Sequence, residues 1–137
     1  MPSAIFLDTN ILIYAASGKK SEPKKWAISL DLLDEPNASI SAQVMAEFYA
    51  TTLKKNYLDA PGAARWLDTL GMMPSVDVDS ALVLEGAALS RRHRISYWDA
   101  AIVAACKRCD AEVLYTEDLN HGQLIEGVRV TNPFREH

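Results

Sequence analysis

The chain has 137 residues, of which 49% are hydrophobic, and its formal net charge is −4. This length predicts one domain, residues 1–137, with a core that needs no disulfides. The two cysteines, Cys106 and Cys109, are too few for the framework of a small secreted protein. No apolar run is as long as a membrane span and no signal peptide is visible, so we expect a cytoplasmic protein that does not associate with membranes. The negative charge disfavours a protein that binds nucleic acid by electrostatics alone, although clustered acids that hold cations would cancel part of it.

Short apolar runs alternate with longer amphipathic segments along the chain. Strands are predicted at residues 4–7, 38–40, 72–78, 113–115 and 128–130. Helices are predicted at residues 9–16, from Ser21 to Glu35, and at 41–56, 61–70, 79–94 and 97–109. Ser21, Ser41, Asp79 and Ser96 are the predicted N-caps of four of these helices. The alternation is typical of an α/β fold, with a mainly parallel central sheet of four to five strands and helices on both faces.

Three acidic residues fall where such a fold would place a ligand site. Ligands of open parallel sheets bind outside the carboxyl ends of the strands. Asp8 ends the first strand, Asp118 lies just past the fourth, and Asp99 is in the first turn of a helix. We therefore expect these carboxylates to converge on one edge of the sheet. Glu47 lies mid-helix beside apolar residues, where a carboxylate needs a partner such as a bound cation.

Each acid also has a purely structural interpretation. Asp8 is equally suited to capping the helix that follows it, and Asp99 completes a capping box with Ser96. Glu47 could reach solvent from the edge of its face, and Asp118 could be a turn residue. Together, however, the four carboxylates match the preference of Mg²⁺ and Mn²⁺ for oxygen ligands. Such ions catalyse phosphodiester hydrolysis without a nucleophilic side chain, and the sequence has no convincing nucleophile–base constellation.

Four segments resemble the PIN domain and, within that group, the VapC toxins of bacterial and archaeal toxin–antitoxin pairs. They occur in the family's order and span nearly the whole chain, at residues 6–14, 41–48, 97–102 and 114–122. The resemblance implies that the acidic metal site consists of Asp8, Glu47, Asp99 and Asp118. It also implies supporting hydrogen bonds from Thr9 or Asn10 and from Thr116. Glu117 could take or share the position of Asp118, which ranks first because of the Thr-x-Asp spacing.

The resemblance further implies Mg²⁺ or Mn²⁺ as the cofactor, RNA as the substrate, a homodimer, and inhibition by a small VapB-type antitoxin. The predicted function is a metal-dependent endoribonuclease, the toxin of such a pair, that cleaves cellular RNA (tRNA, rRNA or mRNA). Two alternatives are a housekeeping RNA-processing nuclease and a non-catalytic binding module with the same fold. A signalling receiver domain would need a lysine near a late strand end, and no lysine follows Lys107.

Two other groups of residues have a mainly structural interpretation. Cys106 and Cys109 lie near a helix end with no second pair, which favours structural cysteines over a redox or zinc motif. Tryptophan could stack on bases, but the three tryptophans have apolar neighbours at helical spacing. We therefore expect core or dimer-interface packing for Trp26, Trp66 and Trp98.

Overall fold

The computed structural model describes residues 3–135, and within this range the chain forms six helices and six strands. The helices are α1 (Thr9–Ser17), α2 (Pro23–Leu33), α3 (Ala42–Lys54), α4 (Ala60–Leu70), α5 (Ser80–His93) and α6 (Tyr97–Arg108). The strands are β1 (Ala4–Leu7), β2 (Ala38–Ser41), β3 (Ser75–Val76), β4 (Ala111–Tyr115), β5 (Leu124–Ile125) and β6 (Val128–Thr131). None of the helices among these residues is long and apolar enough to cross a membrane.

One sheet organises the fold, with the strand order β3-β2-β1-β4-β6-β5. All neighbouring strands pair in parallel except β5 and β6, which form an antiparallel hairpin. The predicted α/β class and mainly parallel sheet are confirmed, with one strand more than expected. The missed strand, β5, has only two residues, and positive φ values at Glu126 and Gly127 form its tight turn to β6.

The helices form two groups. Helix α1 packs against α2 and α3, and α3 packs against α4, whereas α5 packs against α6, which contacts β4 and β6. The chain moves outward from β1 through β2 to β3 and then crosses back to β4. Right-handed crossovers in opposite directions place the two helix groups on opposite faces of the sheet. The central strands are therefore buried between them, and the core includes Phe6, Leu7, Ile40 and Leu114, which are fully buried.

Two details differ from the predictions. Helix α2 has Glu22 at its N-cap position, without a side-chain cap hydrogen bond, so the predicted Ser21 cap is wrong. Pro23 begins this helix and has no N–H that needs an acceptor, which reduces the need for a cap. The predicted strand at 72–78 contracts to Ser75–Val76, because Pro74 cannot donate to the sheet and the residues after Val76 are exposed.

Candidate active site

The strand order places one crevice at the centre of the sheet. The connections from β1 and from β4 leave in opposite directions, so their carboxyl ends flank a topological switch point, where ligands of such folds bind. Leu7 pairs with Tyr115, and the N–H of Asp8 donates to the carbonyl of Tyr115 at 3.1 Å. Asp8 and Thr116, the first residues beyond the two strands, therefore face each other across the crevice.

Asp8 is a buried carboxylate, with 7% of the residue exposed. It occupies the N-cap of α1, and its Oδ1 accepts the N–H of Thr9 at 2.7 Å. Its Oδ2 accepts the hydroxyl of Thr116 at 2.8 Å. Burial raises the pKa of Asp8 to about 6, against the lowering effect of these two hydrogen bonds. The negative charges of Asp118 and Glu47 contribute a smaller part of this rise, because they also disfavour the charged form of Asp8.

Thr116 joins Asp8 to the loop that follows β4. It is fully buried, and its hydroxyl accepts the Nδ2 of Asn10 at 3.1 Å and the N–H of Asp118 at 3.1 Å. Together with the hydrogen that it donates to Asp8, these bonds use both acceptor sites and the one donor of the hydroxyl. The Nδ2 of Asn10 also donates to Oδ2 of Asp118 at 3.1 Å. This network sets the position of the Asp118 carboxylate relative to Asp8.

Glu47 approaches the same crevice from α3. Its Oε1 accepts the hydroxyl of Thr9 at 3.3 Å and the side-chain amide of Gln43 at 3.2 Å. Gln43 also donates to the carbonyl of Trp98 at 3.3 Å, so it links α3 to the first turn of α6. Asp99 is the next residue in that turn. The cap of α6 uses the backbone N–H of Asp99, which donates to the Ser96 hydroxyl at 3.1 Å, rather than its carboxylate.

Glu117 has a different environment from Asp118. Its Oε1 accepts the hydroxyl of Tyr14 at 2.5 Å, and its Oε2 pairs with Nζ of Lys25 at 3.0 Å. The hydrogen bond to Glu117 is the main reason that the pKa of Lys25 is raised. Asp118 is exposed and directed to Asn10, so of the two adjacent acids it is the one that faces Asp8.

The donor set of this crevice fits a divalent cation of the magnesium type, which prefers oxygen ligands. Among residues 3–135, no three acidic, histidine or cysteine side chains are close enough together to form a complete metal cage. The carboxylates of Asp8 and Asp118 are nevertheless linked through Thr116 and Asn10, and Oδ1 of Asn10 is buried without a hydrogen-bond partner. A cation or its bound water would stabilise a buried unpaired oxygen in such a network of carboxylates.

An apolar groove of about 460 Å³ lies beside Glu47. Its lining includes three alanines of α3 together with Val78, Tyr97 and Trp98. Trp98 is 62% exposed and stacks edge-on against Tyr97, so core packing is the wrong interpretation for this tryptophan. Trp26 and Trp66 are partly buried, and Trp66 packs against Phe48.

Three site residues escaped the sequence analysis. Gln43 precedes Glu47 by four residues and Tyr14 follows Asn10 by four, so helical spacing places each pair on one face and could have indicated them. Lys25 has no comparable signal, because its contact with Glu117 joins residues 92 positions apart.

A family model of the PIN domain matches residues 5–125. The chain belongs to the PIN-domain family. The match covers all four segments on which the resemblance rests, from the strand before Asp8 to the loop that carries Asp118. The search of curated proteins gave no match.

Solved structures share this PIN fold. A toxin–antitoxin complex from Klebsiella pneumoniae contains a chain that is 24% identical, with a TM-score of 0.72 and coverage of 98% of this chain and 100% of that one. VapC20 from Mycobacterium tuberculosis, a Sarcin-Ricin loop cleaving toxin, is 17% identical, with a TM-score of 0.69. The alignment covers 84% of this chain and 90% of VapC20. VapBC2 from Rickettsia felis, bound to a DNA fragment from its promoter, is 22% identical, with a TM-score of 0.66 and coverage of 93% and 96%.

Proposed function

We propose that this PIN-domain protein is a Mg²⁺- or Mn²⁺-dependent endoribonuclease and the toxin of a toxin–antitoxin pair. The observation that carries the proposal is the hydrogen-bond network that joins Asp8, Glu47 and Asp118 at the switch point of the sheet. The similar structures support the biological part, because they include toxin–antitoxin complexes and a toxin that cleaves the Sarcin-Ricin loop.

In this proposal Asp8, Glu47, Asp99 and Asp118 hold the cation. A divalent ion in this crevice would supply an activated water and a positive charge beside the departing oxygen of a phosphodiester. Thr116 and the N–H of Thr9 orient the carboxylate of Asp8 through the two hydrogen bonds that it accepts. Asn10 orients Asp118, and Gln43 holds Glu47 next to the turn that carries Asp99.

We also propose the partners that the family resemblance implies. The substrate is cellular RNA (tRNA, rRNA or mRNA), the inhibitor is a small antitoxin of the VapB type, and the active form is a homodimer. Among the described residues, the exposed Trp98 and the apolar groove beside it suit such a protein–protein contact.

The Asp8→Asn variant tests the catalytic proposal. Asparagine keeps an acceptor oxygen and is a good N-cap, so the fold should persist, which circular dichroism would verify. We expect cleavage of total cellular RNA in Mn²⁺ or Mg²⁺ to fall to the level measured in EDTA. Asp68→Asn, a change at an exposed carboxylate on α4, is the matched control and should cleave normally. Metal-dependent cleavage by Asp8→Asn at the unmodified rate would refute the assignment.

A growth assay separates the toxin from the two alternatives. Expression of the protein should stop growth, and co-expression of a short reading frame from the same operon should restore it. A housekeeping nuclease would cleave RNA without this rescue. A non-catalytic binding module would cleave no RNA at all, with or without added metal.

A further inference from the structure

Glu117 belongs to a cluster of four side chains. Tyr14 and Lys25 bind its two carboxylate oxygens, at 2.5 Å and 3.0 Å respectively. Lys25 also donates to the Tyr14 hydroxyl at 3.3 Å and lies over two aromatic rings, 4.9 Å from the centroid of Tyr14 and 5.4 Å from that of Phe134. We call Tyr14, Lys25, Glu117 and Phe134 the Glu117 latch.

The latch is more constrained than an ordinary surface ion pair. Its charged side chains are only partly exposed, 31% for Lys25 and 23% for Glu117. The rings of Tyr14 and Phe134 pack edge-on at 5.2 Å and confine the ammonium group from one side. A single exposed pair contributes little because both side chains must be ordered for it, but here several contacts share that cost. The latch therefore fixes the position of Glu117.

The same helix holds the two acids in the loop after β4. Asn10 and Tyr14 are four residues apart on α1, so they lie on one face of the helix. Asn10 binds Asp118, whereas Tyr14 binds Glu117. Thr116 anchors the start of the same turn from inside the protein. The turn is thus held at three successive residues, Thr116, Glu117 and Asp118.

We propose that the Glu117 latch positions Asp118 for metal binding, and that Glu117 is a positioning residue rather than a metal ligand. The inference rests on the proposed function, since it concerns the same metal site. Asp118 is exposed, and it is held by the side chain of Asn10 and by the hydrogen bond from its own N–H to Thr116. The latch adds a third restraint through Glu117, the residue directly before Asp118.

The direction in which Lys25→Met changes the affinity for the cation distinguishes a positioning role of the latch from a purely electrostatic one. Lys25→Met removes a positive charge near the acids, and by Coulomb's law alone this change would strengthen cation binding. If the latch positions Asp118, the same change must weaken cation binding, because the turn loses the contact between Lys25 and Glu117. A ligand role for Glu117 predicts that only Glu117→Gln weakens binding, whereas the positioning role predicts the same loss from either change.

Calorimetric titration of the metal-free protein with MnCl₂ measures this effect. We expect Lys25→Met and Glu117→Gln each to raise the Kd for Mn²⁺ by roughly tenfold, as loss of groups that orient metal ligands does. The double variant should be no weaker than either single variant, because both changes break one latch. Lys25→Arg should restore binding. Lys24→Met removes a charge from the neighbouring exposed position and should not raise the Kd.

Amide hydrogen exchange of the metal-free protein provides a second readout. The N–H of Asp118 donates to the Thr116 hydroxyl. We expect its exchange to be about tenfold faster in Lys25→Met than in the unmodified protein or in Lys24→Met, since less energy is needed to open the turn.

The outcomes distinguish the two proposals. The latch proposal is refuted if the Lys25→Met variant binds Mn²⁺ as tightly as the unmodified protein or more tightly. It is also refuted if the exchange rate of the Asp118 N–H is unchanged in this variant. Loss of Mn²⁺ binding in Glu117→Gln but not in Lys25→Met identifies Glu117 as a ligand instead. If the unmodified protein binds no Mn²⁺, the proposed function fails, and the exchange rates alone decide whether the latch holds the turn.

Discussion

Thr116→Val tests whether one hydroxyl organises the candidate site. Valine has nearly the shape of threonine, so the change removes the hydroxyl group without opening a cavity. Three hydrogen bonds are lost, one donated to the carboxylate of Asp8 and two accepted from Asn10 and the N–H of Asp118. The site is fully buried at Thr116, so water cannot enter to replace them without a rearrangement.

The magnitude follows from the partners. A hydrogen bond to a charged group contributes roughly 1.5–3 kcal/mol, and a neutral one about 0.5–1.5 kcal/mol. Asp118 is exposed, so its N–H can bond to water instead, which recovers part of the lost hydrogen-bond energy. We therefore expect Thr116→Val to lower the free energy of unfolding by about 3 kcal/mol. For a chain of 137 residues this corresponds to a melting temperature lower by roughly 10 °C.

Urea unfolding in EDTA, monitored by circular dichroism, measures this loss at fixed pH. Thr116→Ser is the matched control, because it keeps the hydroxyl and loses one methyl group, at a cost of about 1 kcal/mol. If the valine and serine variants differ by less than about 1 kcal/mol, the hydroxyl does not have the organising role that its three bonds indicate. A changed m-value would show instead that the substitution altered the compactness of one of the two states.

Two further predictions concern regions away from Thr116. Hydrogen bonds from basic side chains lower the pKa of Glu126 to about 2, below its ordinary value of 4.5. These side chains are His93, Lys107 and Arg92, in decreasing order of effect. The ionised Glu126 therefore stabilises the folded protein fully above pH 4.5, and this stabilisation is lost as the pH falls from 4.5 to 2. The urea midpoints of the unmodified protein and of Glu126→Gln should converge over that range. A difference between the midpoints that stays constant would contradict this prediction. Trp98→Ala should weaken self-association by roughly 30-fold in sedimentation velocity, as for an interface anchor. Met72→Ala changes a residue that is 85% exposed and should leave self-association unchanged. Equal association of the two variants would show that Trp98 is not part of the interface.

The sequence was sufficient to predict where the strand-end acids lie. Asp8 and Asp118 follow apolar runs that could only be buried strands, and parallel strands bring their carboxyl ends to the same edge. The structure adds that this edge is the switch point, which depends on the order of β1 and β4 in the sheet. Strand order follows from long-range packing, so it was beyond the pattern of the sequence.

The roles of Glu117 and Asp118 could not be separated by the same reasoning. Both are acids in one polar loop, and the Thr-x-Asp spacing ranked them without showing what each contacts. The distinction depends on Lys25, which reaches Glu117 from α2 across a large sequence separation. The packing of α1 and α2 decides which of the two adjacent acids meets Lys25 and which meets Asn10.

The different contacts of Glu117 and Asp118 explain how the site keeps its negative charge. Around Asp8, Glu47 and Asp118, the recorded hydrogen-bond donors are the neutral groups of Thr9, Asn10, Gln43 and Thr116. Neutral donors orient carboxylates without cancelling their charge, so the crevice remains attractive to a divalent cation. The ammonium group of Lys25 is paired with Glu117 instead. In the proposed arrangement, Glu117 both holds the turn that carries Asp118 and neutralises Lys25.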